Sequence, residues 1–240
     1  MPDYDARLVD LYDEDNPDGP EHDFYRGLAS ERGATAILDL GCGTGILTVT
    51  FAQGGRTVVG VDPSKTMLDY AERRSGTGAV RWLHGDSRDI PTADFDFAVM
   101  TGNVAQHILD LDWARTLRDI RSHLRTGGTL AFESRNPARR AWETWQSDAP
   151  TVRDTVHGPP REWAEVKEIG DDLIEATFHN EFARTGDCVV ETVRFAFRDA
   201  RTLTAQLACA GFDVEAIYGD WDRTPFYEEH ELLIVVARAR

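Results

Sequence analysis

Cysteine is scarce in this chain. Its three, Cys42, Cys188 and Cys209, are odd in number and far apart. That argues against a disulfide framework and against a paired-cysteine zinc site. The seven histidines form no H-x-x-x-H pair, so no metal is expected. Long apolar runs are missing too. No stretch approaches membrane-spanning length, and the opening M-P-D-Y-D-A-R lacks the apolar core of a signal peptide. The expected setting is a reducing cytoplasm, with no membrane partner. Positive charge is also short: 26 Lys and Arg stand against 42 Asp and Glu, for a net charge of −16. An acidic surface repels a phosphate backbone, so no nucleic-acid partner is expected. Arg135, Arg139 and Arg140 form the one dense basic cluster; Glu133 and Glu143 flank it, and it reads as solvated surface. There is no internal repeat. With 240 residues, 41% of them hydrophobic, the chain suits one globular domain with a substantial core and an appended subdomain.

What is present centres on residues 36–45, A-I-L-D-L-G-C-G-T-G. An apolar run enters a turn in which Gly41, Gly43 and Gly45 alternate with small residues, and a helical pattern follows over 44–53. This reads as a buried strand, a glycine turn and a helix start, where an open α/β sheet receives a nucleotide-like ligand. Asp39 stands just before the turn, where a carboxylate faces the ligand. The order is not the dinucleotide fingerprint G-x-G-x-x-G, because Ile46 takes the place of its last glycine. No Lys-Ser or Lys-Thr pair follows, so it is not a phosphate-cradling loop either. A β-branched run over 56–61 then ends at Asp62, 21 positions beyond Gly41. That spacing brings an acidic residue to a ribose hydroxyl pair. Asp62-Pro63-Ser64 also precedes a helix beginning near Lys65, so capping is a second role open to it.

The D-x-G-x-G-x-G order of Asp39 to Gly45 resembles the first motif of class I S-adenosylmethionine (SAM)-dependent methyltransferases. The G-D-S of 85–87 and the L-R-T-G-G-T-L of 124–130 resemble later phrases of the same family, with Thr126 in place of the usual proline. The resemblance is strong over 35–134. It implies SAM as cofactor and S-adenosylhomocysteine (SAH) as product. It implies cofactor contacts from Asp39, Gly41, Cys42, Gly43 and Gly45 in the first loop, and from Asp62, Pro63 and Met67 around the second strand end. Asp86 and Ser87 would meet the adenine, and Thr101 and Asn103 would form the crevice floor. The implied fold is α/β: a doubly wound, mostly parallel seven-stranded sheet with an antiparallel last strand, plus an inserted antiparallel β lid.

Periodicity and turn signals divide the chain accordingly. Residues 1–34 read as an N-terminal helical cover, 35–134 as the SAM-binding core, and 135–199 as the inserted lid. Within the lid, strands are expected over 162–169, 173–182 and 188–197. Residues 200–240 supply a helix over 200–210 and a closing hairpin over 212–218 and 231–237.

Methyl transfer needs nucleophile, methyl carbon and sulfur in line and water excluded, and it needs no metal. His107 follows the crevice loop and is the candidate general base, because imidazole titrates near working pH. Acceptor contacts are expected from Tyr12, His107, Arg135, Trp142 and Trp145, with Trp163 and Trp221 also counted toward the lid lining. The N-P-P-Y or D-P-P-Y of relatives that methylate adenine or glutamine amides is missing after the fourth strand, where T-G-N-V stands. The expected acceptor is a small molecule, methylated at O, N or C. A tRNA wobble-base methyltransferase and a non-catalytic SAM-binding protein are the rival readings. No particular oligomeric state is implied.

Overall fold

The computed structural model describes residues 3–146 and 149–240. Two helices lead the chain, α1 (Ala6–Asp15) and α2 (Pro20–Glu31). Asp5 caps α1 by accepting from the Arg7 N–H at 2.9 Å. Pro20 opens α2 with its ring already at a helical φ, and Glu21 and Asp23 in the first turn suit the positive end of the helix. There follow β1 (Ala36–Leu40), α3 (Thr48–Phe51), β2 (Thr57–Asp62), α4 (Lys65–Ala71), β3 (Val80–His84), β4 (Phe95–Met100), α5 (Val104–His107), α6 (Asp110–His123) and β5 (Leu124–Arg135). A second sheet comes next, from β6 (Thr151–Val152), β7 (Pro160–Gly170), β8 (Leu173–Phe182) and β9 (Asp187–Ala196). α7 (Ala200–Ala210), β10 (Phe212–Tyr218) and β11 (Leu232–Ala239) close the chain.

The main sheet has seven strands in the order β10-β11-β5-β4-β1-β2-β3. Strands β1 to β5 run parallel, and β11 runs antiparallel to both its neighbours. Such a sheet is covered on both faces, which is why all six residues of β4, F-D-F-A-V-M, are buried. The side-chain alternation of β1 feeds two layers. Leu38 and Leu40 join Trp113, Leu117 and Phe132 under α6 and α7, while Ile37 joins Tyr25, Leu28 and Phe51 under α2 and α3. Asp96 is the one charged residue of β4. It accepts from the Thr35 and Ala36 N–H groups at 3.0 and 3.1 Å and so fixes where β1 begins.

The second sheet, β6-β7-β8-β9, is antiparallel throughout. Its own apolar cluster is built from Trp142, Ile174, Ala176, Phe195 and Phe197. The fold therefore matches the expected α/β architecture, with a shorter third helix and a longer fifth strand. The helix expected over 44–53 is only Thr48–Phe51, followed by a 3-10 turn at Gln53–Gly55. Gly45 is still in the left-handed turn at φ 72, and the β-branched Thr48, Val49 and Thr50 favour helix weakly. β5 begins at Leu124 and runs to Arg135, because β11 pairs with it along Arg135 to Thr129. Trp221 is not part of the second sheet. It packs on Phe24 and Tyr25 of α2, at 5.7 and 5.9 Å between ring centres. Among the described residues no helix is long and apolar enough to cross a membrane.

Candidate active site

The carboxyl ends of β1, β2, β4 and β5 meet on one edge of the sheet, where the strand order reverses between β1 and β4. Ligands bind at such a switch point. The loop after β1 holds Gly41, Gly43 and Gly45 at φ 78, 52 and 72, a region that side chains rarely adopt. Space adds a second constraint. A Cβ on Gly41 would meet Val104 Cγ2 at 2.5 Å, and one on Gly45 would meet the Trp82 ring at 2.5 Å. Trp82 of β3 also lies against Gly60, a mid-strand glycine of β2, so the loop is braced from below by an indole.

Asp62 ends β2 and is buried. Its carboxylate accepts from the Gly43 N–H and from the Ser64 N–H, both at 2.8 Å. Ser64 in turn caps α4 through Met67 N–H at 3.1 Å. The capping role foreseen for this segment falls to Ser64, and Asp62 ties the segment to the glycine loop, a role that was not foreseen. Burial pushes the Asp62 carboxyl up, and the two backbone donors pull it back. The Pro63 carbonyl accepts from His84 at 3.0 Å. Met67 and Cys42 are buried beside these groups.

Asp39 is 1% exposed. Thr48 Oγ1 donates to its Oδ2 at 2.6 Å, and its Oδ1 has no partner. Burial pushes its carboxyl up to about 7. Glu133, at the end of β5, is buried as well. It accepts from the Tyr25 hydroxyl and from the Asn103 N–H, the latter at 2.5 Å, and burial raises its carboxyl too. Among the described residues none of Asp39, Asp62 and Glu133 pairs with a lysine or arginine within 4.0 Å. Asn103 has a left-handed backbone, φ 59, and a buried, unpartnered Oδ1. A buried polar atom without a partner costs about 1–3 kcal/mol. The edge therefore holds acceptors that lack donors.

The other expected cofactor residues are placed less simply. Asp86 is held by Arg88 at 2.5 Å, and that bond keeps its carboxyl below the ordinary range. Ser87 is buried and donates to Asp119 at 2.6 Å. Thr101 is half-buried at the end of β4. From α1, Tyr12 Oη comes within 3.8 Å of the Cβ position of Gly102. Burial with Asp62 and Glu133 nearby raises its phenol. α1 is fastened here by Asp13, which accepts from Thr44 Oγ1 at 2.6 Å and pairs with Arg74.

On the far side, α5 faces the second sheet. The His107 ring meets Phe195 of β9 edge-on, 4.8 Å between centres. Burial and the nearby Arg135 charge push the imidazole down to about 4. Gln106 is fully buried. Its Oε1 accepts from Arg135 N and Nη1 at 3.3 and 3.4 Å, and its Nε2 has no partner. The Arg135 guanidinium lies 5.3 Å over the Trp145 ring, and Trp145 packs on Phe195 at 5.0 Å. Trp142 lies in the apolar core of the second sheet, 4.4 Å from Phe197, with its indole N–H on Glu168. Trp142 is buried and also lines a cavity of about 600 Å³ with Glu143, Gln146, Val166 and Glu168. Trp163 stacks flat on His179 at 4.7 Å. Arg139 and Arg140 are spoken for by Glu231, Glu143 and Glu168.

Sequence reasoning missed the buried polar set Glu133, Gln106 and Arg198. Arg198 is 4% exposed. It donates to the Ala105 and Ile108 carbonyls at 3.0 and 2.8 Å and pairs with Asp110, clamping α5 in place. A glutamate ending the apolar run T-L-A-F-E was the available signal for Glu133; nothing local marked the other two.

The matching family model, described as a methyltransferase domain, covers residues 37–128, which hold the glycine loop, Asp62 and the crevice loop. The chain carries a class I SAM-dependent methyltransferase domain. It is an enzyme of that type, with SAM as its methyl donor. It is similar to a cypemycin N-terminal methyltransferase of Streptomyces sp, 29% identical across 84% of this chain and 82% of that one. It is similar to the glycine N-methyltransferase of Rattus norvegicus, 31% identical across 46% of this chain, and matches less than half (43%) of that protein's length. Its fold is that of a SAM-dependent methyltransferase from Clostridium acetobutylicum ATCC 824, with TM-score 0.79, 17% identity and 97% of both chains covered. The residues of this methyltransferase fit the donor. Buried acceptors without donors, Asp39 Oδ1 and Asn103 Oδ1, suit a ligand bearing an ammonium; Gly41 and Gly45 leave no room for side chains, and Gly43 faces open space.

Proposed function

We propose that this methyltransferase acts on the amine nitrogen of a small molecule. The observation that carries the reading is the set of three buried carboxylates at the strand ends, Asp39, Asp62 and Glu133, none of them paired with a lysine or arginine among the described residues. Such an edge attracts a cationic donor and a basic acceptor, and it disfavours a polyanion such as tRNA. The neutralised Arg139 and Arg140 give RNA no foothold beside it.

When bound, SAM supplies an electrophilic methyl group on a sulfonium sulfur. The chain's own residues position and exclude. Gly41, Cys42, Gly43 and Gly45 let the backbone approach the ligand, with Asp39 below them. Asp62 and Pro63 would meet the ribose, Met67, Asp86 and Ser87 the adenine, and Thr101 and Asn103 the reacting end. Asp86 must exchange part of its contact with Arg88 for this. His107, held near 4, is neutral at pH 7 and a weak base. It is a poor base for stripping a hydroxyl. An amine that enters as its free base, its proton left in water, needs only alignment and exclusion of water, and the methylated nitrogen takes up the positive charge that the sulfonium loses, so nitrogen is favoured over oxygen. The names of the cypemycin N-terminal and glycine N-methyltransferases point the same way, whereas a malonyl-[acyl-carrier protein] O-methyltransferase of Pectobacterium atrosepticum, 33% identical across 50% of this chain, carries the opposite name. Residues 1–34 act as a cover, through Tyr12, and 135–199 as a lid, through Phe195 and Trp145. In a cytoplasm Cys42, Cys188 and Cys209 remain free thiols.

Calorimetry with SAH, then labelled-methyl transfer onto matched amines, alcohols and total tRNA, tests this. Micromolar SAH binding with label confined to amines is the expected result. Label on alcohols or tRNA alone would overturn the acceptor, and absent SAH binding would overturn the site.

A further inference from the structure

We infer that the amine acceptor also carries an oxyanion, a carboxylate or phosphate group, read by Arg135 together with the Gln106 amide. This rests on the reading of a small-molecule acceptor above.

The argument starts from a fixed amide. Arginine has only donors, so its contact with Gln106 settles which end of the amide faces it. Oε1 is held by Arg135 N and Nη1, and Nε2 is the end left buried without a partner. The result is two kinds of donor side by side: a guanidinium held by Oε1 only at 3.4 Å, and an amide N–H with no acceptor.

The guanidinium differs from most half-buried arginines of the chain; Arg56 and Arg121, which also lack a carboxylate side chain, are held instead by the Ser30 hydroxyl and by the Gly211 and Leu124 carbonyls. Arg7, Arg26, Arg153 and Arg198 are also half-buried or buried, and each meets a carboxylate at 2.7–2.9 Å. Arg135 is half-buried and, among the described residues, has no carboxylate within 4.0 Å, although acidic side chains far outnumber basic ones. Glu133 lies two residues earlier on the same strand, but its oxygens accept from Tyr25 and Asn103. Trp145 lies under the guanidinium at 5.3 Å and holds it in place, and neutral His107 adds no charge of its own.

The two halves of the crevice therefore have opposite needs. Asp39 Oδ1 and Asn103 Oδ1 lack donors, Gln106 Nε2 lacks an acceptor, and the Arg135 guanidinium has the long Gln106 Oε1 contact in place of a carboxylate. A planar guanidinium fork matches a carboxylate or a phosphate with two parallel bonds. An acceptor with an amine at one end and an oxyanion at the other satisfies this side and places the nitrogen toward the crevice.

The test uses the full chain saturated with SAH and follows the arginine Nε–H signals by NMR. Acetate is titrated in one arm and inorganic phosphate in another, against chloride at matched ionic strength. The Arg135 signal is assigned from Arg135→Lys. A saturable shift with acetate marks a carboxylate-bearing acceptor, and one with phosphate marks a phosphorylated one. In Gln106→Glu, a nearly isosteric change that gives Arg135 an internal carboxylate, the anion should bind at least about tenfold more weakly. SAH affinity of that variant, measured by calorimetry, shows that the fold and cofactor site survive. A wild-type Arg135 signal that responds to neither anion overturns the proposal, as does an undiminished response in a folded Gln106→Glu protein. Failure of the wild type to bind SAH would instead defeat the cofactor reading.

Discussion

The two sides of the crevice are built by different means. On the cofactor side the backbone is over-determined. Positive-φ glycines, close contacts with Val104 and Trp82, and the bonds from Gly43 and Ser64 to Asp62 all demand one loop shape. On the acceptor side the second sheet meets the core through a few side chains: Phe195 on His107, Trp145 under Arg135, and Arg198 on the α5 carbonyls. Its link to α1 is thinner still. Arg7–Asp187 and Arg153–Asp15 are ion pairs at 3.0 and 2.7 Å with exposed members, and His157 Nε2 lies 3.0 Å from an Asp10 oxygen. Exposed pairs contribute about 0–1 kcal/mol each. A common donor asks for a fixed site, and a particular acceptor asks only for a few well-placed groups.

If the contrast is right, cofactor-side changes should abolish binding and acceptor-side changes should spare it. Asp62→Ala removes the carboxylate that holds Gly43 and Ser64, and SAH affinity should fall by about 100-fold in calorimetry, near 2.7 kcal/mol. An affinity within threefold of wild type would break the cofactor half of the comparison. Phe195→Ala opens a cavity beside His107 and should lower stability by about 3 kcal/mol in urea unfolding. It should reduce turnover by more than about tenfold while leaving SAH affinity within a few-fold. His107→Gln should cost less than about tenfold in turnover, since a base held near 4 transfers little. A larger loss with a shifted pH profile would restore it as a base. The same variant has a sign to check. His107 stays neutral in the fold below its unfolded pKa near 6.5, so wild-type stability falls as pH drops from about 6.5 to 4, and His107→Gln should flatten that fall. The smallest effect is expected from Arg7→Ala, under about 1 kcal/mol in the same unfolding assay.

The cofactor side was legible because its demands are local. A glycine triplet after an apolar run, an aspartate ending a β-branched run, and their spacing are all visible along the chain. The strand at 173–182 followed from its own alternation and flanking turns, and the doubly wound sheet from the family resemblance. The acceptor side was not legible, because its groups meet only in three dimensions. Gln106 and Arg135 are 29 residues apart, and Arg198 reaches α5 across 93. Aromatic content misled for a related reason. Trp221 is apolar surface that any core can take, and α2 took it. The third helix was over-read because periodicity ignored the turn that Gly45 still had to complete.

The most direct test is the proton count on cofactor binding. Asp39 sits near 7 because it is buried, and its Oδ1 lacks a donor. A ligand that brings an ammonium favours the ionised form. SAH binding should therefore tighten as pH rises through 7 and release about half a proton at pH 7, read by calorimetry in buffers of different ionisation enthalpy. Asp39→Asn should abolish that release. Proton release unchanged in Asp39→Asn, or SAH affinity flat between pH 6 and 8 in the wild type, would contradict a cofactor site built on acceptors that await a cation.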